Sequence, residues 1–118
     1  MAENVIKTKS FQFALRIIRL YKFLTIEKKE FILSKQLLRS GTSIGANIRE
    51  SEHAQSTADF IHKLAIAQKE ANETDYWIEL LHQSEYLAEN QFSSIKIDIT
   101  EINKILASII ISTKNNRK

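Results

Sequence analysis

Two Glu-x-x-His motifs are the residues of this chain whose types and spacing most clearly suggest chemistry. The first motif joins Glu50 to His53, and the second joins Glu79 to His82. Residues three apart lie on one face of a helix, so each motif offers a carboxylate and an imidazole to the same ion. Helical bundles that hold two iron or manganese ions combine two such motifs with two further glutamates. A carboxylate-bridged dimetal site is therefore the first hypothesis.

The positions of the two motifs along the chain argue against a shared metal cluster. A polar turn near Gln55 makes the two helices that carry the motifs antiparallel. Glu50 then lies beside the turn, whereas Glu79 lies more than ~30 Å from it, at a rise of ~1.5 Å per residue. The first predicted helix also offers no acidic residue. We therefore expect no metal and no cofactor.

Patterns of hydrolytic and phosphate-binding chemistry are missing from the sequence. His53, His62 and His82 accompany many serines, but none of these residues lies in a strand-turn-helix nucleophile elbow. Residues 41–45 lack the lysine and hydroxyl residue that follow a glycine-rich phosphate loop. Cysteine is absent, which removes thiol catalysis and cysteine-bound zinc. We predict no catalytic residue and no enzyme activity.

The composition of the 118-residue chain indicates one helical globular domain over residues 1–118. Hydrophobic residues make up 43% and charged residues 26%, while proline is absent and glycine occurs twice. So few turn-forming residues favour long helices. No apolar run approaches the ~18 residues that span a bilayer, and the N-terminus lacks a signal-peptide core. We expect a cytoplasmic protein without a membrane partner.

Apolar residues recur at spacings of three and four in four segments, which predicts four helices. Connections of a few residues between long helices predict an all-α, antiparallel up-down-up-down four-helix bundle. Ser56 and Asp59 form a capping-box pattern before the third helix. The predicted helices cover residues 10–25, 27–53, 57–88 and 90–113, and their predicted N-caps are Ser10, Thr25, Ser56 and Asn90.

The only two glycines, Gly41 and Gly45, lie four residues apart in the second predicted helix. Glycine inside a helix costs ~1 kcal/mol relative to alanine, so we infer that another backbone comes close to this face. Counting from the turn near residue 55 places Ala67 and Ala71 of the third helix opposite. These two alanines are the predicted contact of the glycines.

A polar line, Arg39, Ser43 and Asn47, runs beside the glycines on the second helix. Glu70 and Glu73 lie at the matching height on the third helix. We predict that Arg39 or Asn47 bonds to one of these glutamates and fixes the register of the two helices. A recognition surface is the alternative interpretation of this line.

Basic residues collect at one end of the predicted bundle, where the N-terminus, the second turn and the C-terminus meet. The net charge is +3, and a phosphate backbone would be attracted to this end. Ordinary solvated termini are the alternative. The candidate nucleic-acid-binding residues are Lys7, Lys9, Arg16, Arg19, Arg49, Lys63, Lys114, Arg117 and Lys118.

Aromatic residues outnumber what one thin bundle needs for its core. Tyr76 and Trp77 are adjacent on a helix, so they cannot both point into the same seam. We expect one of them to pack at a subunit interface, where such residues are enriched.

Three stretches of the chain are distinctive: LLRSGTSIGANIRE at residues 37–50, SFQFAL at residues 10–15 and DYWIELL at residues 75–81. They resemble the bacterial four-helix-bundle proteins encoded in intervening sequences of 23S ribosomal RNA genes, also called the S23 ribosomal protein family. The resemblance covers nearly the whole chain. It implies a left-handed antiparallel bundle, assembly into a ring of five copies, and no enzymatic activity. A related branch, the accessory protein of diversity-generating retroelements, forms a similar ring, binds nucleic acid and partners a reverse transcriptase.

Together the residues and the resemblance predict a non-enzymatic oligomeric bundle that binds RNA or another nucleic acid through a basic surface. The alternative is a ring-shaped interaction scaffold that binds a protein and no nucleic acid.

Overall fold

Four helices account for most of the structure, a computed structural model that describes the backbone of residues 2–116 and the side chains of residues 4–116. The helices are α1 (Ala2–Ile26), α2 (Leu33–Ser51), α3 (Thr57–Gln83) and α4 (Glu89–Asn116). Within the described residues each helix contacts its neighbours in the sequence, α4 returns to α1, and α1 and α3 lie diagonally opposite. The predicted up-down-up-down bundle is confirmed, as a body of 51 × 21 × 19 Å.

The core of the bundle is formed by one apolar stripe from each helix, at the spacing that the sequence predicts. Burying an isoleucine or leucine side chain contributes about 1.5–3 kcal/mol, so these stripes provide the main driving force for folding. No helix within residues 2–116 is both long and apolar enough to cross a membrane. The fully buried core residues include Ile17, Leu24, Leu37, Ile44, Leu64, Ile78, Leu81, Ile99, Ile102 and Leu106.

The first predicted N-cap, Ser10, is wrong because α1 begins eight residues earlier. Ile6 is 2% exposed and belongs to the core, so burial extends the helix toward the N-terminus. Ser10 is buried in the middle of α1, and its hydroxyl donates to the carbonyl of Lys7 at 3.1 Å. Thr25 is also not a cap, since it lies in the last turn of α1 and its hydroxyl donates to the carbonyl of Tyr21 at 3.0 Å.

The second helix starts at Leu33, after a loop over residues 27–32 that the sequence pattern places inside the helix. Lys29 has a φ of 57°, which ends the helical path. The carboxylate of Glu30 then accepts hydrogen bonds from the N–H groups of Ile32, Leu33 and Ser34 at 3.1, 2.9 and 2.7 Å. Glu30 therefore caps α2 from its loop, in place of a residue directly before the helix.

Ser56 caps α3 as predicted, since its hydroxyl accepts from the N–H of Asp59 at 3.0 Å. The helix ends at Gln83 and not at residue 88, because Glu85 adopts a φ of 72°. Asn90 lies in the first turn of α4 and is not its cap. The side chain of Gln91 instead accepts from the N–H of Ala88 at 2.9 Å.

Candidate assembly surfaces and basic residues

The two glycines of α2 face α1, and not the alanines of α3 as the sequence predicts. A Cβ atom at Gly41 would lie 2.9 Å from both Cγ atoms of Ile17, which is closer than real side chains approach. A Cβ atom at Gly45 would lie 3.4 Å from the carbonyl oxygen of Ser10, an ordinary contact. Gly41 therefore permits the close packing of α1 on α2. Gly45 lies in the same contact, but a Cβ atom would fit there.

The contact of α2 with α3 uses a pair of small hydroxyl residues instead. The hydroxyls of Ser40 and Thr74 lie 2.9 Å apart, and both residues are fully buried. The hydroxyl of Thr74 also reaches the carbonyl of Glu70 at 2.7 Å, so it is Ser40 that depends on this pair inside the core, where an unpaired hydroxyl costs about 1–3 kcal/mol. The spacing of residues in the sequence does not reveal this pair, because the rotation of the helices decides it.

The residues of the polar line on α2 make two kinds of contact. One of them pairs with side chains of α3, and the other two bond to the backbone of α2 itself. Arg39 pairs with Glu70 at 3.3 Å and with Glu73, whose carboxylate also accepts from the indole N–H of Trp77 at 3.0 Å. Ser43 and Asn47 do not reach α3. The hydroxyl of Ser43 donates to the carbonyl of Arg39, and the amide of Asn47 donates to the carbonyl of Ser43. A register-setting role for the Arg39 pairs stays a prediction.

Most of the candidate nucleic-acid-binding residues in α1, α2 and α3 are engaged with other side chains. The guanidinium of Arg49 lies 5.7 Å from the ring centroid of Phe11, a cation–π distance. The hydrogen bond and charge of Glu50 raise the pKa of Lys63 above its ordinary value. Four candidates lie within ion-pair distance of an acid: Lys7 with Glu52 (3.2 Å), Lys9 with Glu101 (2.9 Å), Arg16 with Asp98 (2.6 Å) and Lys63 with Glu50 (3.1 Å).

The remaining candidates lie apart from one another. Arg19 lines a groove of about 410 Å³ between α1 and α4, together with Lys9 and Arg16. Lys114 is exposed in the last turn of α4. Arg117 and Lys118 lie outside the described residues. Over residues 4–116 the bundle therefore gathers three candidates in a groove between α1 and α4, beside Asp98 and Glu101, rather than forming a continuous basic end.

The second Glu-x-x-His motif takes part in contacts between α3 and α4. Glu79 lies 3.5 Å from the Nζ atom of Lys96. His82 pairs with Glu89 at 2.9 Å and stacks on the ring of Phe92, with centroids 3.9 Å apart. In the first motif, Glu50 pairs with Lys63. Among the described residues, no three side chains of the metal-ligating types are grouped as a metal site would need.

Two separate exposed apolar surfaces stand out on the bundle. The first, the α1–α2 surface, surrounds a groove of about 450 Å³ lined by Phe11, Leu15, Ile18, Thr42 and Ala46. Phe11 is 48% exposed and Leu15 is 36% exposed. A surface of this kind on a small protein commonly marks an interaction site.

The second, the α3 surface, consists of Tyr76 and Leu80, which lie one helical turn apart. Tyr76 is 58% exposed and Leu80 is 36% exposed, whereas Trp77 packs against the core. Tyr76 is therefore the aromatic residue that is left for a partner. Because α1 and α3 are diagonal in the bundle, the α3 surface and the α1–α2 surface point in different directions.

The comparisons with known proteins agree with this architecture. The sequence profile of the family "23S rRNA-intervening sequence protein" matches residues 2–108. The chain belongs to this family. A protein of unknown function from the S23 ribosomal protein family of Bacteroides thetaiotaomicron VPI-5482, solved by crystallography, is 66% identical. The match covers 93% of this chain and 98% of that one, with a TM-score of 0.92. No functionally curated protein matches the chain.

Membership of the 23S rRNA-intervening sequence protein family confirms the resemblance found in the sequence. Neither description names an enzyme. The matched range contains both apolar surfaces and the groove of Arg19, whereas Lys114, Arg117 and Lys118 follow it. The surfaces on the bundle are thus part of the region that defines the family, and the basic C-terminus is not.

Proposed function

We propose that this 23S rRNA-intervening sequence protein is a non-enzymatic cytoplasmic subunit of a homo-oligomeric ring that serves as a binding scaffold. The observation that carries the proposal is the presence of two separate apolar surfaces, one on α1 and α2 and the other on α3. Five copies is the number that the family resemblance implies.

The presence of two different surfaces on each copy selects the type of assembly. A contact between the α1–α2 surface of one copy and the α3 surface of the next is heterologous, since two different patches meet. Each contact leaves one surface free at either end, so addition continues until the rotation closes a ring. Closure covers both of these surfaces, whereas a two-fold dimer through either surface leaves the other in water. Phe11 and Tyr76 are the aromatic anchors expected at the centre of such an interface.

The mass of the protein in solution tests the proposal. Light scattering of the wild-type protein is expected to give one closed species of several copies. Leu15→Glu in the α1–α2 surface and Tyr76→Glu in the α3 surface each place a charge in the interface and are expected to give smaller species. Ile97→Glu, at a residue that is 68% exposed on the outer side of α4, is the matched control and is expected to keep the wild-type mass. A monomeric wild-type protein at high concentration would rule the ring out.

RNA binding is a second candidate function, favoured by the groove that Arg19 lines with Lys9 and Arg16. Exposed ion pairs contribute only about 0–1 kcal/mol, so a phosphate can displace the carboxylates that now neutralise two of these cations. A ring would repeat the groove and the net charge of +3 in every copy.

A salt titration of RNA binding tests this candidate. Affinity for a structured RNA is expected to fall steeply with salt, because bound phosphates release counterions. Arg19→Glu is expected to weaken binding, whereas Lys104→Glu, the same charge change on the outer side of α4, is expected to weaken it less. Loss of binding in both variants to the same extent would indicate attraction by net charge and would contradict a site in the groove.

A further inference from the structure

The loop between α1 and α2 leaves three large apolar side chains in water. Ile26 and Phe31 are each 60% exposed, and Ile32 is 76% exposed. The turn between α3 and α4, at the same end of the bundle, behaves differently: its Leu87 is 4% exposed, and its Tyr86 packs against the core. The exposure is therefore a property of the α1–α2 loop and not of the bundle end. We call Ile26, Phe31 and Ile32 the apolar tip.

The backbone of this loop is held in place and largely satisfied from within. The N–H groups of Glu27 and Lys28 donate to the carbonyl of Phe23 at 2.8 and 3.3 Å. The N–H of Glu30 donates to the carbonyl of Leu24 at 2.9 Å. The next donors, those of residues 32–34, bind the carboxylate of Glu30 as described above. Hydrogen bonds thus hold the backbone of the loop that carries the apolar side chains, and few of its N–H groups remain free to bind a partner.

Four lysines lie close to the apolar tip along the chain. Lys22, Lys28, Lys29 and Lys35 are all exposed within fourteen residues of the chain. Of the two acids in the same stretch, Glu27 faces solvent, whereas the carboxylate of Glu30 is turned onto the backbone. This stretch of the chain therefore carries four lysines against two acids.

We propose that the apolar tip docks on an anionic lipid surface. Exposed apolar side chains that enter the boundary of headgroups and acyl chains, with lysines at the headgroups, are the chemistry of interfacial membrane contact. Backbone groups that enter such a region must be hydrogen-bonded, and the N–H groups of residues 27, 28, 30 and 32–34 already are. Because the tip offers apolar contact and charge but few directional donors, a fluid lipid surface fits it better than a folded protein partner. The contact is peripheral, and it differs from the sequence-based expectation of no membrane partner, which rests on the absence of a spanning segment.

Sedimentation with vesicles tests the proposal. The full-length protein is expected to sediment with vesicles of equal parts phosphatidylcholine and phosphatidylglycerol, and not with phosphatidylcholine alone. Phe31→Ser and Ile32→Ser are each expected to weaken binding about tenfold, since each removes an apolar side chain from the lipid boundary. Lys28→Glu combined with Lys29→Glu is expected to abolish the preference for the anionic vesicles. Ile97→Ser, at an equally exposed isoleucine of α4, is the matched control and is expected to bind like the wild type.

The outcomes separate the lipid surface from other occupants of the tip. All these positions are exposed, so circular dichroism is expected to show folded variants, and Phe31→Trp reports insertion through a blue shift of its emission when vesicles are added. Equal weakening by Ile97→Ser and Phe31→Ser would overturn the proposal, as would absence of binding to the anionic vesicles. Saturable binding of a synthetic peptide that alternates glutamate and leucine, without vesicle binding, would assign the tip to a protein partner instead. None of these measurements depends on ring formation, because every copy carries its own tip.

Discussion

Gly41 and Ile17 define how closely α1 and α2 approach, since a Cβ atom at position 41 would lie 2.9 Å from two side-chain carbons of Ile17. The clash involves the two carbons bonded to Cβ of Ile17, and a β-branched side chain in a helix has little freedom to rotate them away. The close approach of these helices therefore depends on the absence of a side chain at one position.

Gly41→Ala is expected to destabilise the protein, even though alanine is the better helix former. Forced overpacking costs about 1–3 kcal/mol, which offsets or exceeds the gain of ~1 kcal/mol in helix propensity. Gly45→Ala is the matched control and is expected to be neutral or stabilising, because its Cβ finds ordinary contact distances. Urea unfolding measures both. In an Ile17→Ala background, Gly41→Ala and Gly45→Ala are expected to change the free energy of unfolding by similar amounts. A persistent difference would point to a cause other than the contact with Ile17.

Ser40 and Thr74 give a second test inside the core. Thr74→Val keeps the shape of the side chain but leaves the hydroxyl of Ser40 without its partner, at an expected cost of about 1–3 kcal/mol. The double variant Ser40→Ala, Thr74→Val removes both hydroxyls and is expected to recover part of that loss. Additive effects in the free energy of unfolding would contradict a direct pair between the two residues.

Glu30 provides a prediction with a defined dependence on pH. Burial raises the pKa of Glu30, but the hydrogen bonds from the N–H groups of Leu33, Ser34 and Ile32 outweigh it, so its pKa lies below the ordinary 4.5. A carboxylate with a lowered folded-state pKa stabilises the fold above the unfolded pKa, and this stabilisation is lost as the pH falls through the folded pKa.

Glu30→Gln is accordingly expected to cost about 1–2 kcal/mol at neutral pH, as for loss of a helix cap. Thermal unfolding followed at several pH values is expected to show the difference from the wild type shrinking below pH ~4.5. Glu27→Gln, in the same loop but facing solvent, is the control and is expected to change little. A difference for Glu30→Gln that does not depend on pH would show that the charge of the carboxylate is not what caps α2.

Much of the fold can be predicted from the sequence because each helix carries an apolar stripe at an unbroken helical spacing. The cap at Ser56 can be predicted too, since a hydroxyl residue followed three positions later by an acid is a local pattern. The loop between α1 and α2 cannot, because residues 27–30 are all good helix formers and the turn uses Lys29 instead of glycine. The end of α3 cannot be predicted for the same reason, because Glu85 adopts a positive φ although it is not a glycine.

The candidate sites depend on helix rotation, which the spacing of residues does not determine. The spacing of Gly41 and Gly45 indicates a close contact, but only the packed bundle shows that α1 provides it. The ion pairs between helices likewise become visible only in the packed bundle. One of them is the hydrogen-bonded pair with Asp75 that raises the pKa of Lys96. Basic residues that look like one surface in the sequence are therefore mostly paired with acids of neighbouring helices.

The most direct test of the proposed assembly is the mass of a mixture of Leu15→Glu and Tyr76→Glu, measured by light scattering at high protein concentration. Each variant keeps one intact surface, so a heterologous interface predicts that two smaller species combine through the α3 surface of the first and the α1–α2 surface of the second. The expected product is a one-to-one heterodimer that does not grow further. A mixture whose mass equals that of the separate variants, or a Tyr76→Glu protein that keeps the wild-type mass, would contradict a ring built from these two surfaces.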